Sequence, residues 1–233
     1  MDNSNNNNLN ILDLPNEMLI NIFNRLYIVD ILYSLVNINE RFDRLVIDPL
    51  YIHHLDMTIE LPFDEIISIY NKVFSRICEN ILPRIHNQVN KLIVDSYSIK
   101  SILTVNYPQL YSLSLVNFQE ILFQYLKDIL FFWKKLPRLK HFSLTSFDDT
   151  IYYDKLIIPL LCRMINLEEL ILFLSIIRFD STFIDGIQLY DQFLIYIPRL
   201  NKFTSSIITV VVNNNINISL SSHKDIQHSF IER

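Results

Sequence analysis

The pattern apolar-x-x-apolar-x-apolar occurs five times in the second two thirds of the chain. The copies are Val89, Leu92, Val94; Leu110, Leu113, Leu115; Leu139, Phe142, Leu144; Leu167, Leu170, Leu172; and a decayed copy at Leu200, Phe203, Ser205. Their first positions follow one another at 21, 29, 28 and 33 residues. Such a repeat constrains the fold strongly. A single strand-and-helix unit cannot bury its own sheet face, so units must stack. The last two apolar positions of each copy are two residues apart, the period of a strand, and share one face. Pro108, Pro137 and Pro198 each stand two residues before a first position. Proline there ends the preceding helix, because it cannot continue the hydrogen-bond ladder. The helices expected upstream are Phe123 to Lys135, Leu156 to Met164 and Tyr190 to Tyr196. Strands alternating with helices predict a parallel sheet. An ordinary open α/β sheet of similar spacing is the competing reading.

An earlier strand is expected where Leu55, Met57, Ile59 and Leu61 alternate. Asp64 is a good N-cap for the helix after it, whose stripe is Ile66, Ile67, Tyr70, Val73, Phe74 and Ile77, ending near Pro83. If the strands stack in register, their non-core positions form three columns. The first is Lys91, Ser112, His141, Glu169 and Lys202. The second is Ile93, Ser114, Ser143, Ile171 and Thr204. The third is Asp95, Val116, Thr145, Phe173 and Ser206. Ile171 and Phe173, rimmed by Glu169, make the most pointed contact surface. Cover by a helix or by the chain's own C-terminal part is the plain alternative.

Residues 11–52 read differently. Leu14-Pro15-Asn16-Glu17 opens a helix, with proline pre-organised for its first turn and Glu17 at the positive end of the dipole. Leu19, Ile22, Phe23 and Leu26 continue at helical spacing. A second helix is expected from Asp30, carrying Ile31, Leu32, Leu35 and Val36, and a third from Arg41 to Ile47, stopped by Pro49. Three short helices make a marginal core, and their apolar excess suggests a covering partner.

Composition excludes several classes. Net charge is −5 with no Lys/Arg run, which argues against nucleic acid as a partner. The lone glycine, Gly186, cannot build a phosphate-cradling loop. Cys78 and Cys162 fit no metal spacing and are expected as small buried hydrophobes in a reducing compartment. His53 and His54 would point to opposite strand faces, so they cannot share a metal. His86, His141, His223 and His228 form no catalytic motif; the acidic pairs Asp148-Asp149 and Glu168-Glu169 sit beside strands, and Glu168-Glu169, inside a repeat, is expected as solvated strand positions. No catalytic, metal or cofactor site is therefore expected. The apolar span Leu156 to Phe179 carries Arg163, Glu168 and Glu169, which argues for a buried helix and strand rather than a membrane span. Met1-Asp2 with its Asn-rich continuation lacks the features of a signal peptide. A cytoplasmic or nuclear location is the expectation.

The series Leu14-Pro15, Glu17, Leu19, Ile22, Phe23, Leu26, Asp30, Ile31, Leu35, Val36, Ile38, Asn39, Phe42, Leu45 resembles an F-box, over about residues 9–50. It departs from that family in lacking the tryptophan frequent near the third helix. The repeats over roughly residues 55–207 resemble the leucine-rich-repeat family in its longer, helix-containing form, although Phe118 and Phe147 replace the usual Asn or Cys. The order of the two resemblances is the usual one for F-box proteins. Together they imply an α/β chain: a disordered Asn-rich tail at 1–10, an F-box-like three-helix module at 11–52, and a curved leucine-rich-repeat-like solenoid with a parallel sheet at 53–233. The implied function is substrate recognition for a Skp–cullin–F-box ubiquitin ligase. A Skp-type adaptor, and through it a cullin–RING ligase, would dock on Leu14, Pro15, Glu17, Leu19, Ile22, Phe23, Ile31 and Leu35. An unidentified target protein would bind His141, Ser143, Thr145, Glu169, Ile171 and Phe173. The alternative is a repeat scaffold whose helical module merely caps the array.

Overall fold

The computed structural model describes residues 10–58, 67–102, 104–117, 136–179 and 183–212. The Asn-rich start, Ile59, Leu61, Asp64, Ile66, the helix expected from Phe123 to Lys135 and the end of the chain lie outside the described residues.

The chain enters through a 3-10 turn, Ile11–Asp13, held by a reciprocal capping box. The Asn10 side chain accepts from Leu12 N–H, and the Asp13 carboxylate accepts from Asn10 N–H, each at 3.1 Å. Three helices follow: α1 (Asn16–Phe23), α2 (Ile28–Leu35) and α3 (Glu40–Val46). Pro15 is the N-cap of α1 rather than its first residue, and α2 starts two residues ahead of Asp30. Asn37 turns the chain between α2 and α3 at φ 68°, a left-handed conformation that asparagine tolerates. Asn39 then caps α3, accepting from Phe42 N–H at 2.9 Å. Pro49 stands two residues beyond Ile47, the C-cap of α3, as expected of a helix stop. It opens the helical turn Pro49–Ile52, where its missing N–H is no loss. Leu19, Phe23, Val29, Ile31, Leu32, Phe42 and Val46 fill the module's core, with Phe23 edge-on to Phe42 at 6.0 Å.

Six parallel strands form one sheet in chain order: β1 (His54–Asp56), β2 (Lys91–Asp95), β3 (Ser112–Val116), β4 (His141–Thr150), β5 (Glu169–Arg178) and β6 (Lys202–Val211). The fold is α/β. Register follows the repeat. Leu55, Leu92, Leu113, Phe142, Leu170 and Phe203 are lateral partners across all six strands, and Val94, Leu115, Leu144, Leu172 and Ser205 form the next row. Nearly all of these side chains are fully buried, each aliphatic one worth roughly 1.5–3 kcal/mol against exposure.

The backbone repeats as closely as the side chains. Before each of the last four strands a tight turn closes onto the leading leucine: Leu110 N–H to Tyr107 O, Leu139 to Leu136, Leu167 to Met164, and Leu200 to Ile197, at 3.0–3.2 Å. At each strand start one carbonyl of the preceding unit takes two successive N–H groups of the next. His53, Asn90, Tyr111, Lys140 and Glu168 are the five acceptors. The prolines therefore mark turns whose hydrogen bonds pin the register of each new strand.

The helices between strands are less regular than expected, and the two expected from Leu156 and Tyr190 begin earlier, at Tyr153 and Gly186. Ile67–Arg76 continues through a wide π turn, Ile77–Ile81, into Leu82–Ile85, past Pro83. Tyr153–Ile157 is likewise a π turn leading into Ile158–Leu161, and Gly186–Gln192 is followed by a 3-10 turn, Leu194–Tyr196. The apolar span Leu156 to Phe179 is the end of one such helix followed by β5. β1 ends at Asp56, although Met57 N–H still bonds Ile93 O at 2.8 Å. β4 carries an irregularity opposite β5, where Phe147 and Asp148 are unpaired.

One hydrophobic core runs from Leu19 to Ile197 without a break at residues 49–53. Polar clamps reinforce the junction. Arg84 bonds both Asn37 Oδ1 at 3.1 Å and Asp43 Oδ2 at 3.0 Å, and Arg76 lies 4.9 Å over the Tyr33 ring. Both arginines come from the helical segment ahead of β2, and their partners belong to the N-terminal helices.

Candidate interaction surfaces

The N-terminal module divides its apolar residues between inside and outside. Of the residues expected at an adaptor contact, Leu19, Phe23 and Ile31 lie within its own core, at 2% exposure or less. They support a surface and cannot be part of one. Leu14 and Leu35 are half-buried against that core, while Pro15, Glu17 and Ile22 face solvent. The outward apolar set is completed by Ile11, Leu12 and Met18, which the pattern did not single out, and by Leu26, which it included without assigning to the contact; Met18 is 51% and Leu26 52% exposed. Pro15, Met18 and Ile22 recur at three and four residues, so they line one side of α1. Helical spacing alone cannot tell this side from the neighbouring one that carries Leu19 and Phe23, since both are apolar.

Arg41 shapes this surface. Its Nε donates to Asn16 Oδ1 at 2.9 Å, Nη1 to Leu12 O at 2.6 Å, and Nη2 to Leu14 O. The guanidinium thus fastens the Leu12-to-Asn16 segment to α3. It satisfies two carbonyls at the point where the 3-10 turn ends and α1 has not begun. The sequence carried no separate sign of this, because Arg41 reads as an ordinary helix residue.

The second surface is the sheet face opposite the buried rows. Lys91, Ser112, His141, Glu169 and Lys202 are lateral partners, as are Ile93, Ser114, Ser143, Ile171 and Thr204. Thr145, Phe173 and Ser206 follow in the third column. All three expected columns therefore hold over β4 to β6. At the inner end of the third, Asp95 is buried and serves the turn after β2, accepting from Tyr97 N–H at 3.0 Å and Ser98 N–H at 2.8 Å. The expected target residues His141, Ser143, Thr145, Glu169 and Ile171 are half-buried, and Phe173 is exposed.

The face is polarised along the strands. At their N-terminal ends lies an ionic row. Glu169 bridges His141 Nδ1 at 3.1 Å and Lys202 Nζ, while Lys140 holds Glu168 at 2.7 Å. Tyr111 stands edge-on to His141 at 5.5 Å. The Lys202 ammonium, with His141 nearby, holds the Glu169 carboxyl below the ordinary carboxylate range, and Lys140 does the same for Glu168. Toward the other end β5 and β6 run on past the short early strands. Phe173, Ile177, Phe179, Ile208, Val210 and Val212 then share the outward face, and all but Ile177 are exposed. Ile208, Val210 and Val212 extend the Ile171–Phe173 patch. Residues 207–212 are nearly all apolar in sequence, so which of them face outward depended on the register of β6.

Cys78 and Cys162 are free and half-buried, not fully buried as expected. Burial pushes the Cys78 thiol up to about 11, so it carries no thiolate at neutral pH. Among the described residues no group of three His, Cys, Asp or Glu could hold a metal, and no helix is long and apolar enough to cross a membrane. Compared with known proteins, the chain matches no family model and no curated protein.

Proposed function

We propose that this chain is a substrate-recognition adaptor of a Skp–cullin–F-box type ubiquitin ligase. Its N-terminal module docks on a Skp-type adaptor, and its leucine-rich-repeat-like array holds a target protein. One observation carries the reading. The module buries Leu19, Phe23, Val29, Ile31 and Leu32 in the shared core and still presents Ile11, Leu12, Pro15, Met18, Ile22 and Leu26 to solvent. A contiguous apolar side on so small a module is the mark of a protein contact. Sequential parallel strands, repeated turns and repeated double-acceptor carbonyls support the solenoid reading of the array. The patch from Ile171 and Phe173 to Val210 is the target surface, with the ionic row as its polar rim.

A second reading has its own support. The core is continuous across the junction, and Arg76 and Arg84 fasten the array to α2 and α3. A helical cap on a repeat scaffold, with no ligase link, needs the same contacts. Co-purification with a Skp-type adaptor separates the two. The wild-type chain retains the adaptor on the first reading, and the double change Met18→Asp, Ile22→Asp abolishes retention with the melting temperature unchanged. A wild-type chain that never retains the adaptor leaves the scaffold reading in place.

A further inference from the structure

The two edges of the sheet are unlike. β1 spans three residues and includes His54 and Asp56, a blunt edge of the sort that resists pairing. β6 spans ten residues, with Lys202 at its start as its one charge, no proline and no register shift against β5. Among the described residues no strand pairs with β6 on its far side. We propose that β6 is the interface through which two copies of this chain associate, by antiparallel pairing of β6 with its counterpart about a two-fold axis at Ile207.

The hydrogen bonds of β6 dictate that register. Lys202 N–H bonds Glu168 O at 3.1 Å, and Val212 N–H bonds Arg178 O at 2.9 Å. Even-numbered residues thus direct their backbone groups at β5. Ser205, Ile207 and Thr209 direct theirs outward. In an antiparallel pair, residues that exchange both hydrogen bonds stand directly opposite one another. Odd must therefore face odd, and a two-fold axis must pass through an odd residue. Ile207 is the choice that uses the whole strand. It sets Ser205 opposite Thr209 of the second copy, a favourable hydroxyl pair. Lys202 falls opposite Val212 of the second copy, so the two lysines end about 33 Å apart, well beyond screened repulsion over roughly 8–10 Å. No like charges meet along the strand. On the outward face Ile208 would stand opposite Ser206 of the second copy and Val210 opposite Thr204, all four now exposed. A two-fold arrangement closes on itself, so association stops at two copies.

Light scattering on the full chain should give twice 27.8 kDa at high concentration, falling to the monomer on dilution. Ser205→Pro removes an outward N–H without touching a bond to β5. It should shift the equilibrium to monomer while the circular-dichroism melt is retained. Cysteine scanning tests the register without relying on that variant. Ile207→Cys should cross-link to itself under mild oxidation, because opposed residues about 5.5 Å apart at Cα are within disulfide reach. Ser205→Cys should not, since its own counterpart would lie about 13 Å away, and the wild-type chain is the control for Cys78 and Cys162. A full-length chain that stays monomeric overturns the proposal. So does a dimer that cross-links at residue 205 but not at 207, or one that folded Ser205→Pro leaves intact. Protection of the Ile207 N–H by a target peptide on a monomeric chain would assign the edge to the target instead.

Discussion

The Arg84 guanidinium sits 3.0 Å from the Asp43 carboxylate, and that contact ties α3 to the helical segment ahead of β2. Burial opposes ionisation of Asp43. It is outweighed by the Asn37 N–H and by Arg84, which hold the carboxyl below its usual range. A depressed carboxylate stabilises the fold above its unfolded pKa and loses that contribution as pH falls through the lower, folded value. Arg84→Met should therefore cost up to ~1 kcal/mol at neutral pH, as for a partly exposed pair. Relative to wild type, the difference should shrink below about pH 4, toward what the bond to Asn37 Oδ1 alone supplies once Asp43 is protonated. Urea melts of both chains across that range measure it. A constant difference would mean that Arg84 acts through packing alone.

The buried rows make a sharper test of register. Leu113 is fully buried between Leu92 and Phe142, whereas its neighbour Ser114 belongs to the outward column. Leu113→Asp should destabilise beyond the usual ~0.5–3 kcal/mol of point changes, because it puts a charge into the core. Ser114→Asp should cost far less. Equal losses of melting temperature would mean that the faces are wrongly assigned.

These two faces show what the sequence made legible. The spacing of Leu92, Leu113, Phe142 and Leu170 predicted the lateral partners, because a strand's period of two permits only one register with the core inside. The helices were read less well. Ile77–Ile81 and Tyr153–Ile157 are π turns, and no residue type announces a bond to the fifth residue. In the N-terminal module the pattern found the apolar residues but did not separate core from surface. Leu19 and Phe23 face inward and Met18 and Ile22 outward, from apolar positions adjacent on one short helix. The clamps from Arg76, Arg84 and Arg41 depended on tertiary proximity across 25 to 47 residues and left no local sign.

The ionic row on the sheet should contribute little to stability. Glu169 meets both His141 and Lys202 near the surface, and exposed pairs are worth ~0.2–1 kcal/mol. Glu169→Gln should lower stability within that range at low salt and less at high salt, where screening already weakens the pairs. A change independent of salt would point to a hydrogen-bonding role rather than a charge role.

Target binding should follow the apolar end of the same face. The double change Ile171→Ser, Phe173→Ser should weaken capture of the target while leaving the Skp-type adaptor bound, since distant sites act independently. Phe173 is 41% exposed, so a sizeable part of its ring is available to a partner. Loss of both partners together would show that the pair supports the fold and not the contact.

Arg41 offers the last test, because it acts on a surface that it does not form. Its three bonds hold Leu12, Leu14 and Asn16 against α3. Hydrogen bonds from a charged donor are worth ~1.5–3 kcal/mol, but these partners are near solvent and water would replace part of that. Arg41→Met should thus destabilise by ~1–2 kcal/mol, around or below the lower end of that range. The larger effect falls on shape. Without the guanidinium, the 3-10 turn is free to leave α3, and Ile11, Leu12 and Pro15 leave their alignment with Met18 and Ile22. Adaptor affinity should drop by tenfold or more, the size of effect expected when an anchor is lost from an interface. Arg41→Lys should rescue stability in part but not affinity, because one ammonium cannot serve three acceptors spread along the segment. Calorimetry with a Skp-type adaptor, run beside thermal melts of the same variants, reads both quantities. If Arg41→Met binds the adaptor as tightly as wild type, the Leu-Pro segment lies outside the contact and the docking surface contracts to Met18, Ile22 and Leu26.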